Sequence, residues 1–468
     1  MRLNNPGYLN RIEKAFEIKF NKNQRREIER LAYEISINSD KTADEITKIL
    51  KDKIESRKTQ AKDTFYHIKR ALIALRYPET QTKQKIEFKD LYLNPLKGPA
   101  KNTTYHPLKE FYPERIIVEK EAVGSHLDNR AKEYYPDIKI EYIERASQFL
   151  NDYKVTPENL KRPLLFIVKE KRDFIKPCPC TKNHLGCGYW ILNAGFGCPY
   201  DCSYCYLQQY QNFPGITLPS DLDGFFLNFE TFFKKINRPI RIGTGEFCDS
   251  LALDDLTLYS EKLIGFFSKK DVLFELKTKS ANIKNILKSK PAKNIIISWS
   301  LMPQPIISSE EYAVSELNSR IESALKVQKH GFSIAFHFDP IIYYPGWEKG
   351  YTKLIEQIYS LISPPLAWIS LGTLRFNREL KPVIEKRFPE SRIVYGELLI
   401  GKDKKLRYPE FLRKDIYQKV FRQIRKYDKI TPVYLCMESK EIWRETIQEV
   451  RDTKEIEKSL IENNPACY

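Results

Sequence analysis

The chain has 468 residues, of which 42% are hydrophobic and 13% aromatic, enough for two or three folded domains and too apolar for a disordered chain. No apolar stretch reaches membrane-spanning length, and the start (Met1-Arg2-Leu3-Asn4-Asn5) has no apolar signal-peptide core, so a cytoplasmic protein without a membrane partner is expected. A formal charge of +17 suits DNA or another nucleic acid as partner, although acids interleaved among the bases fit a merely Lys-rich composition as well. Nine cysteines in so long a chain do not make a disulfide framework; where they cluster they read as metal ligands.

Residues 1–95 read as a helical accessory module. Apolar residues recur at three- and four-residue spacing over Arg25–Ile37, Ala43–Ile54 and Ala61–Leu75, and Ser39-Asp40-Lys41-Thr42 supplies a break with an N-cap. The run Asn94-Pro95-Leu96-Lys97-Gly98-Pro99 marks a boundary. Residues 96–180 form an α/β segment with strand-like runs at Arg115–Val118 and Leu164–Val168. Over 181–400, strands at Tyr189–Phe196, Ile240–Gly243, Val272–Lys277, Ile295–Ser300, Ser333–Phe338 and Trp368–Leu371 alternate with helical periods such as Leu256–Phe267, Val314–Lys329 and Tyr351–Leu361. Six βα units predict an α/β fold: a parallel sheet curved into a partial (β/α)6 TIM-like barrel, with its chemistry at the strands' C-terminal ends. Residues 401–468 remain as a C-terminal extension.

The chemistry concentrates after the first of these strands. In Cys198-Pro-Tyr-Asp-Cys202-Ser-Tyr-Cys205-Tyr206, thiolates four and then three positions on can hold three irons of a [4Fe–4S] cluster and leave the fourth open to a small molecule. A zinc knuckle is the competing reading. Gly243-Thr244-Gly245-Glu246 follows the second strand; its glycines permit close backbone approach, and its carboxylate can accept hydrogen bonds from an ammonium group. Ser298 and Ser300 end the fourth strand, as cofactor ligands or as strand caps. His337 and Asp339 end the fifth, as contacts to substrate or cofactor or as a strand-end polar pair that only satisfies a hydrogen bond.

Cys178, Cys180 and Cys187, with His184 among them, form a second group. If Tyr189–Phe196 is one extended strand, its eight residues place Cys187 about 26 Å from the cluster loop, near the barrel's N-terminal end. A Cys3His zinc site, an auxiliary iron–sulfur cluster and three metal-free thiols all fit. Cys436 and Cys467 carry no spacing signal.

The CxxxCxxC run is the signature of radical S-adenosylmethionine (SAM) enzymes. Within them the chain resembles the spore photoproduct lyase family from about Phe111 onward. The resemblance is carried by Cys202-Ser-Tyr-Cys205-Tyr206-Leu207, Asp249-Ser-Leu-Ala-Leu-Asp254, Lys279, Pro340-Ile341, Gly346-Trp-Glu-Lys-Gly-Tyr351, Arg375-Phe376 and Arg387-Phe388-Pro389. It implies a partial barrel of the radical SAM type, with Cys198, Cys202 and Cys205 as cluster ligands. It also implies SAM bound near Gly243, Gly245, Glu246, Lys279, Ser298 and Ser300, and its reductive cleavage to a 5′-deoxyadenosyl radical. The substrate implied is a UV-induced thymine dimer in DNA, engaged by the pair Arg407-Tyr408. Tyr204 and Tyr206 match two tyrosines of a hydrogen-atom relay. The family's hydrogen-donor cysteine falls at Glu246, and Cys248, two residues on, is its candidate replacement. An electron donor of flavodoxin or ferredoxin type is a further implied partner. Two rivals stand beside this reading: a radical SAM enzyme acting on RNA, a nucleotide or a peptide, and a non-catalytic, metal-stabilised nucleic-acid-binding protein.

Overall fold

The computed structural model describes residues 7–55, 64–78, 90–93, 110–149, 153, 155–156, 163–169, 174–181, 184–211, 213–447, 452–462 and 464. The run Asn94–Pro99, expected as a boundary, and Cys467 lie outside them. The chain forms two compact units: Met1–Thr104 with Arg375–Arg413, and Tyr105–Leu374 with Lys414–Tyr468.

In the first unit four helices, α1 (Gly7–Ala15), α2 (Lys22–Ser39), α3 (Ala43–Glu55) and α4 (Thr64–Arg76), bury one apolar face each. Helix α2 starts three residues before the apolar periodicity does, because Asn21 and Gln24 form a reciprocal capping box, the Asn21 Oδ1 accepting from the N–H of Asn23 and Gln24 at 3.0 Å each. The expected break ahead of α3 is there: Asp40 is left-handed at φ 54°, and the Thr42 hydroxyl accepts from the Glu45 N–H at 3.3 Å.

Residues 375–413 complete this module. Leu399 belongs to its apolar core. Glu34, 1% exposed, is surrounded by Arg30, Arg76 and Lys381, with Arg76 Nε at 3.1 Å and the Lys381 ammonium in direct contact. Burial opposes ionisation of Glu34, but Lys381, Arg76 and Arg30 outweigh it and hold the carboxyl at about 2. A folded-state pKa below the unfolded value of about 4.3 gives stability that is full above that value and is lost as pH falls toward 2. Glu34→Ala strands buried cations and is expected to cost about 3–5 kcal/mol at neutral pH, with the deficit shrinking in acid; urea titrations at pH 7 and pH 3 check both.

The second unit opens with a parallel sheet of β1 (Arg115–Glu119), β2 (Ile140–Ile143) and β3 (Leu164–Val168). Then follow β4 (Ile175–Pro177), β5 (Tyr189–Leu192), β6 (Asp201–Cys202), β7 (Ile216–Pro219), β8 (Ile240–Thr244), β9 (Val272–Thr278), β10 (Ile295–Ser300), β11 (Glu311–Tyr312), β12 (Ser333–Ile341) and β13 (Ile369–Thr373). Beyond them β14 (Arg375–Asn377), β15 (Leu399–Ile400) and β16 (Lys405–Arg407) make a small sheet of the first unit, and β17 (Val433–Leu435) returns to the second. The order β17-β13-β12-β10-β9-β8-β5-β4 is parallel throughout except for antiparallel β4, so the curled half-barrel expected from the βα alternation is present with two further edge strands. Its central strands read as near-continuous buried runs (Ile295-Ile296-Ile297), as strands covered on both faces must.

The expected boundaries at 400 and 401 are corrected. Residues 375–400 pack with the N-terminal helices, and 414–468 supply a barrel strand instead of standing as an extension. Contacts such as Lys381 with Glu34 join residues hundreds of positions apart and leave no local periodicity to read. A second correction concerns β5, which stops at Leu192. The extended run to Phe196, on which the 26 Å separation rested, does not exist.

Candidate active site

The cysteine loop leaves the C-terminal side of β5. Phe196 bridges Thr217, and the Gly197 N–H donates to the Phe247 carbonyl at 2.9 Å. Asp201 and Cys202 pair with Tyr312 and Glu311 as a two-residue antiparallel ladder. The loop then turns sharply, the Cys205 N–H donating to the Cys202 carbonyl at 3.1 Å. The Gln208 side-chain amide donates to the carbonyls of Cys202, Ser203 and Cys205 at 3.4, 2.9 and 3.2 Å, so one side chain holds two cysteines in one turn. Cys202 is buried, and Cys198 and Cys205 are half-buried.

Lys279, on the residue after β9, brings its ammonium to 3.6 Å from Glu311 Oε1 and into the electrostatic reach of Cys202. Its backbone N–H donates to Asp249 Oδ2 at 2.7 Å, while Asp249 Oδ1 accepts from the Thr278 hydroxyl at 2.6 Å. Asp249 therefore acts by fixing where Lys279 begins. Burial opposes the charge of Glu311, but Arg320 at 2.6 Å and Lys279 outweigh it and keep the carboxyl below its ordinary range. The Tyr204 hydroxyl donates to this same Glu311.

Tyr206 faces elsewhere. It is 37% exposed, and its hydroxyl donates to the Glu246 carbonyl at 2.7 Å, with Glu246 Oε2 at 3.3 Å. Glu246 Oε1 lies 3.5 Å from Lys277 Nζ. The two flanking tyrosines thus belong to different networks. Cys248 has its Sγ 3.7 Å from where a Cβ on Gly195 would stand and within electrostatic reach of Cys198. Burial pushes the thiol up to about 12. Gly245, at φ +99°, turns the chain between β8 and Glu246, so Cys248 packs against the cysteine loop.

The two glycines before Glu246 are required by the fold. A Cβ on Gly243 would lie 2.4 Å from both the Glu275 carbonyl and the Tyr189 hydroxyl; one on Gly245 would lie 2.7 Å from the Lys277 carbonyl. Gly243→Ala is therefore expected to destabilise the second unit by about 1–3 kcal/mol through overpacking, read as a lowered urea midpoint.

Inside the barrel the side chains are polar. His337 Nε2 lies 2.6 Å from Glu275 Oε1, and both are buried. Burial opposes the Glu275 charge, but His337 and Arg241 outweigh it and hold the carboxyl at about 2. Ser298 stands beside Glu275, and the Ser300 carbonyl accepts from Arg320 at 2.9 Å. His337 thus sits in the barrel interior, engaged with Glu275, whereas Asp339 lies higher, over Gly372 and within electrostatic reach of Lys277. Arg407 and Tyr408 are corrected as DNA contacts: they are 2% and 1% exposed, and the Arg407 guanidinium is clasped by Asp403 at 2.6 and 3.0 Å. A buried, paired guanidinium offers no charge to a phosphate. Lys277, Glu275, Arg241 and Glu311 were missed by the sequence reading. For Glu275 and Lys277 the available signal was a charged residue at every second position of an otherwise buried strand, continued by Lys279 just beyond its end.

A curled parallel half-barrel carrying a three-cysteine loop beyond its first parallel strand defines the radical SAM class of architecture. Residues 181–432 match the family model described as spore photoproduct lyase. The chain belongs to the spore photoproduct lyase family. The lyase of Bacillus subtilis (strain 168) is 24% identical over 308 residues, covering 61% of this chain and 85% of that protein. The lyase of Geobacillus sp. (strain Y412MC61) is 25% identical over 308 residues, covering 62% and 86%. A solved spore photoproduct lyase complexed with dinucleoside spore photoproduct superposes with a TM-score of 0.61 at 23% identity, covering 69% of this chain and 99% of that one. A doubly substituted spore photoproduct lyase with bound AdoMet and dinucleoside spore photoproduct superposes at 0.60 with 22% identity, covering 69% and 99%. Among the described residues, no helix is long and apolar enough to cross a membrane.

Proposed function

We propose that the chain is a radical SAM lyase that repairs a UV-induced thymine dimer in DNA. The observation that carries the reading is the cysteine turn clasped by Gln208 beside the Lys279 ammonium, at the C-terminal end of the barrel and in a member of this family. The donor set fits the cofactor: three thiols on one tight loop, the most buried of them, Cys202, within electrostatic reach of the Lys279 ammonium. Cys198, Cys202 and Cys205 hold the [4Fe–4S] cluster in this reading, and bound SAM supplies the 5′-deoxyadenosyl radical that abstracts hydrogen from the lesion. The Glu246 carboxylate and Lys277 ammonium line the neighbouring wall and hold the polar end of SAM. Asp339 lies on the same rim, and Ser298 and Ser300 stand deeper. A flavodoxin- or ferredoxin-type donor supplies the electron. A second metal on the Cys178–Cys187 loop accompanies the first.

The test is anaerobic reduction with SAM and a dinucleoside spore photoproduct. 5′-Deoxyadenosine and restored thymidines support the reading. 5′-Deoxyadenosine without thymidine moves it to a different substrate, and neither product removes it.

A further inference from the structure

The thiols outside the CxxxCxxC loop come together at a particular place in the sheet. Cys178 and Cys180 leave β4, the strand at one edge; Cys187 precedes β5, its neighbour; Cys436 follows β17, the strand at the opposite edge. A curled sheet leaves its two edges facing across a gap. Here the gap is crossed by an isolated antiparallel bridge from Leu185 to Glu438, with the Leu185 N–H donating to the Glu438 carbonyl at 3.0 Å. The Thr181 hydroxyl reaches Met437 Sδ at 3.9 Å. The loop that carries three cysteines is therefore pinned directly onto the segment that carries the fourth.

Their electrostatic neighbours overlap in the same way. Cys178 feels Cys180, Cys187 and Glu246; Cys436 acts on Lys277, the ion-pair partner of Glu246; Cys187 and Cys436 both act on Tyr434. Cys178 also acts on Tyr206, so the group lies beside the candidate active site and not at the far end of the barrel, as the sequence reading had it.

A separate observation points to an anion there. Arg241 is fully buried, yet its Nε has no hydrogen-bond partner among the described residues. Its other nitrogens reach only the Cys187 carbonyl and the Tyr434 hydroxyl, each at 3.5 Å, and its guanidinium is caged by the rings of Trp368, Tyr434 and Tyr189 at 3.9, 5.2 and 5.5 Å. The Glu275 carboxylate, in contact with His337, also acts on Arg241 but makes no hydrogen bond to it among those described. A buried guanidinium so sparsely hydrogen-bonded leaves a place for an acceptor, and Cys187 lies within its electrostatic reach.

We propose that Cys178, Cys180, Cys187 and Cys436 hold a second, fully ligated iron–sulfur cluster that ties the first and last strands of the half-barrel together. Thiolates on iron place negative charge next to Arg241 and Lys277. A cluster fits better than zinc: among the described residues no three His, Cys, Asp or Glu side chains close on one point as a single ion's ligands do. The Cys198–Cys205 loop likewise forms no single-ion group among the described residues, and a cubane's corners stand further apart than the ligands of one ion. Cys436, reached across the Leu185–Glu438 bridge, takes the place that spacing alone assigned to His184. The site needs neither SAM nor the first cluster.

The test uses the full chain with Cys198, Cys202 and Cys205 all changed to Ala, reconstituted anaerobically with iron and sulfide. It is expected to keep about four irons and about four sulfides, with a reduced EPR signal that SAM does not perturb because every corner is ligated. Adding Cys436→Ala is expected to remove most of that iron and lower the melting temperature, while adding His184→Ala leaves both unchanged. Wild-type chain, which needs no variant to fold, is expected to hold about eight irons. A wild-type content of about four, one zinc per chain in place of the second set, or iron lost with His184→Ala and kept with a natively folded Cys436→Ala overturns the proposal.

Discussion

Cys202→Ala is expected to abolish 5′-deoxyadenosine formation while leaving the fold intact. Cys202 is the most enclosed cysteine of the loop, paired through its backbone with Glu311 and lying beside Lys279. Ala keeps that backbone ladder and removes only the thiolate, so the melting profile of iron-free protein changes little. The cluster, left with two ligands, is lost, and with it every electron that could reach SAM. Gln208→Ala is the informative companion. Gln208 does not touch iron in this reading, but its amide fixes the carbonyls of Cys202, Ser203 and Cys205. Losing such support around metal ligands typically costs roughly 10–100-fold in metal retention, so a partial loss of iron is expected where Cys202→Ala gives a complete one. The two are compared by iron content and by 5′-deoxyadenosine formed per iron. Equal activity in Cys202→Ala and wild type would remove the cluster assignment.

What could be read from the chain and what could not follow from the range of the interactions. Strands such as Ile295–Ser300 carry their signal in adjacent residues, and the structure gives this one the bounds expected from the sequence. Leu256–Phe267 reads as one helix but breaks at Leu258, whose left-handed φ of 52° no local apolar pattern announces. The three-residue strands β4 and β17 are too short to carry a period, and they set the edges of the barrel. At the site, the CxxxCxxC loop is a local motif and was legible. Its support was not: Glu311, Arg320 and Lys279 meet from three separate segments, and Cys436 lies some two hundred and fifty positions from the thiols it joins. Arg407 shows the converse. A basic, exposed-looking run in sequence turned out to hold its own counter-ion four residues away, in Asp403.

Tyr206→Phe is expected to stop repair without stopping SAM cleavage. In the proposed repair the substrate radical must regain a hydrogen atom after hydrogen abstraction and bond scission, and the resemblance sets Glu246 against the family's hydrogen-donor cysteine. Two groups compete for the task. The Cys248 thiol packs toward Gly195 and Cys198, half-buried against the loop. The Tyr206 phenol is partly exposed and stands over Glu246, its hydroxyl oriented by the Glu246 carbonyl at 2.7 Å, with the carboxylate held by Lys277. Tyr206 is the more exposed of the two, and in the proposed repair it is the group presented to a substrate. In this reading it would give up its O–H hydrogen to the product carbon, and one electron from an external donor with one proton would restore the phenol. Phe keeps the ring, its edge contact with Tyr210 and the loop geometry, and removes only that hydrogen. Thymidine formation is expected to fall on the order of 10²-fold or more, the scale of a positioned hydrogen-transferring side chain, while 5′-deoxyadenosine continues and incompletely reduced adducts accumulate. Glu246→Gln keeps the carbonyl that orients the phenol and is expected to raise the KM for SAM more than it lowers turnover. The decisive comparison is with Cys248→Ala: if that variant halts thymidine formation while Tyr206→Phe sustains it, the Cys248 thiol is the donor and the Tyr206 phenol is not.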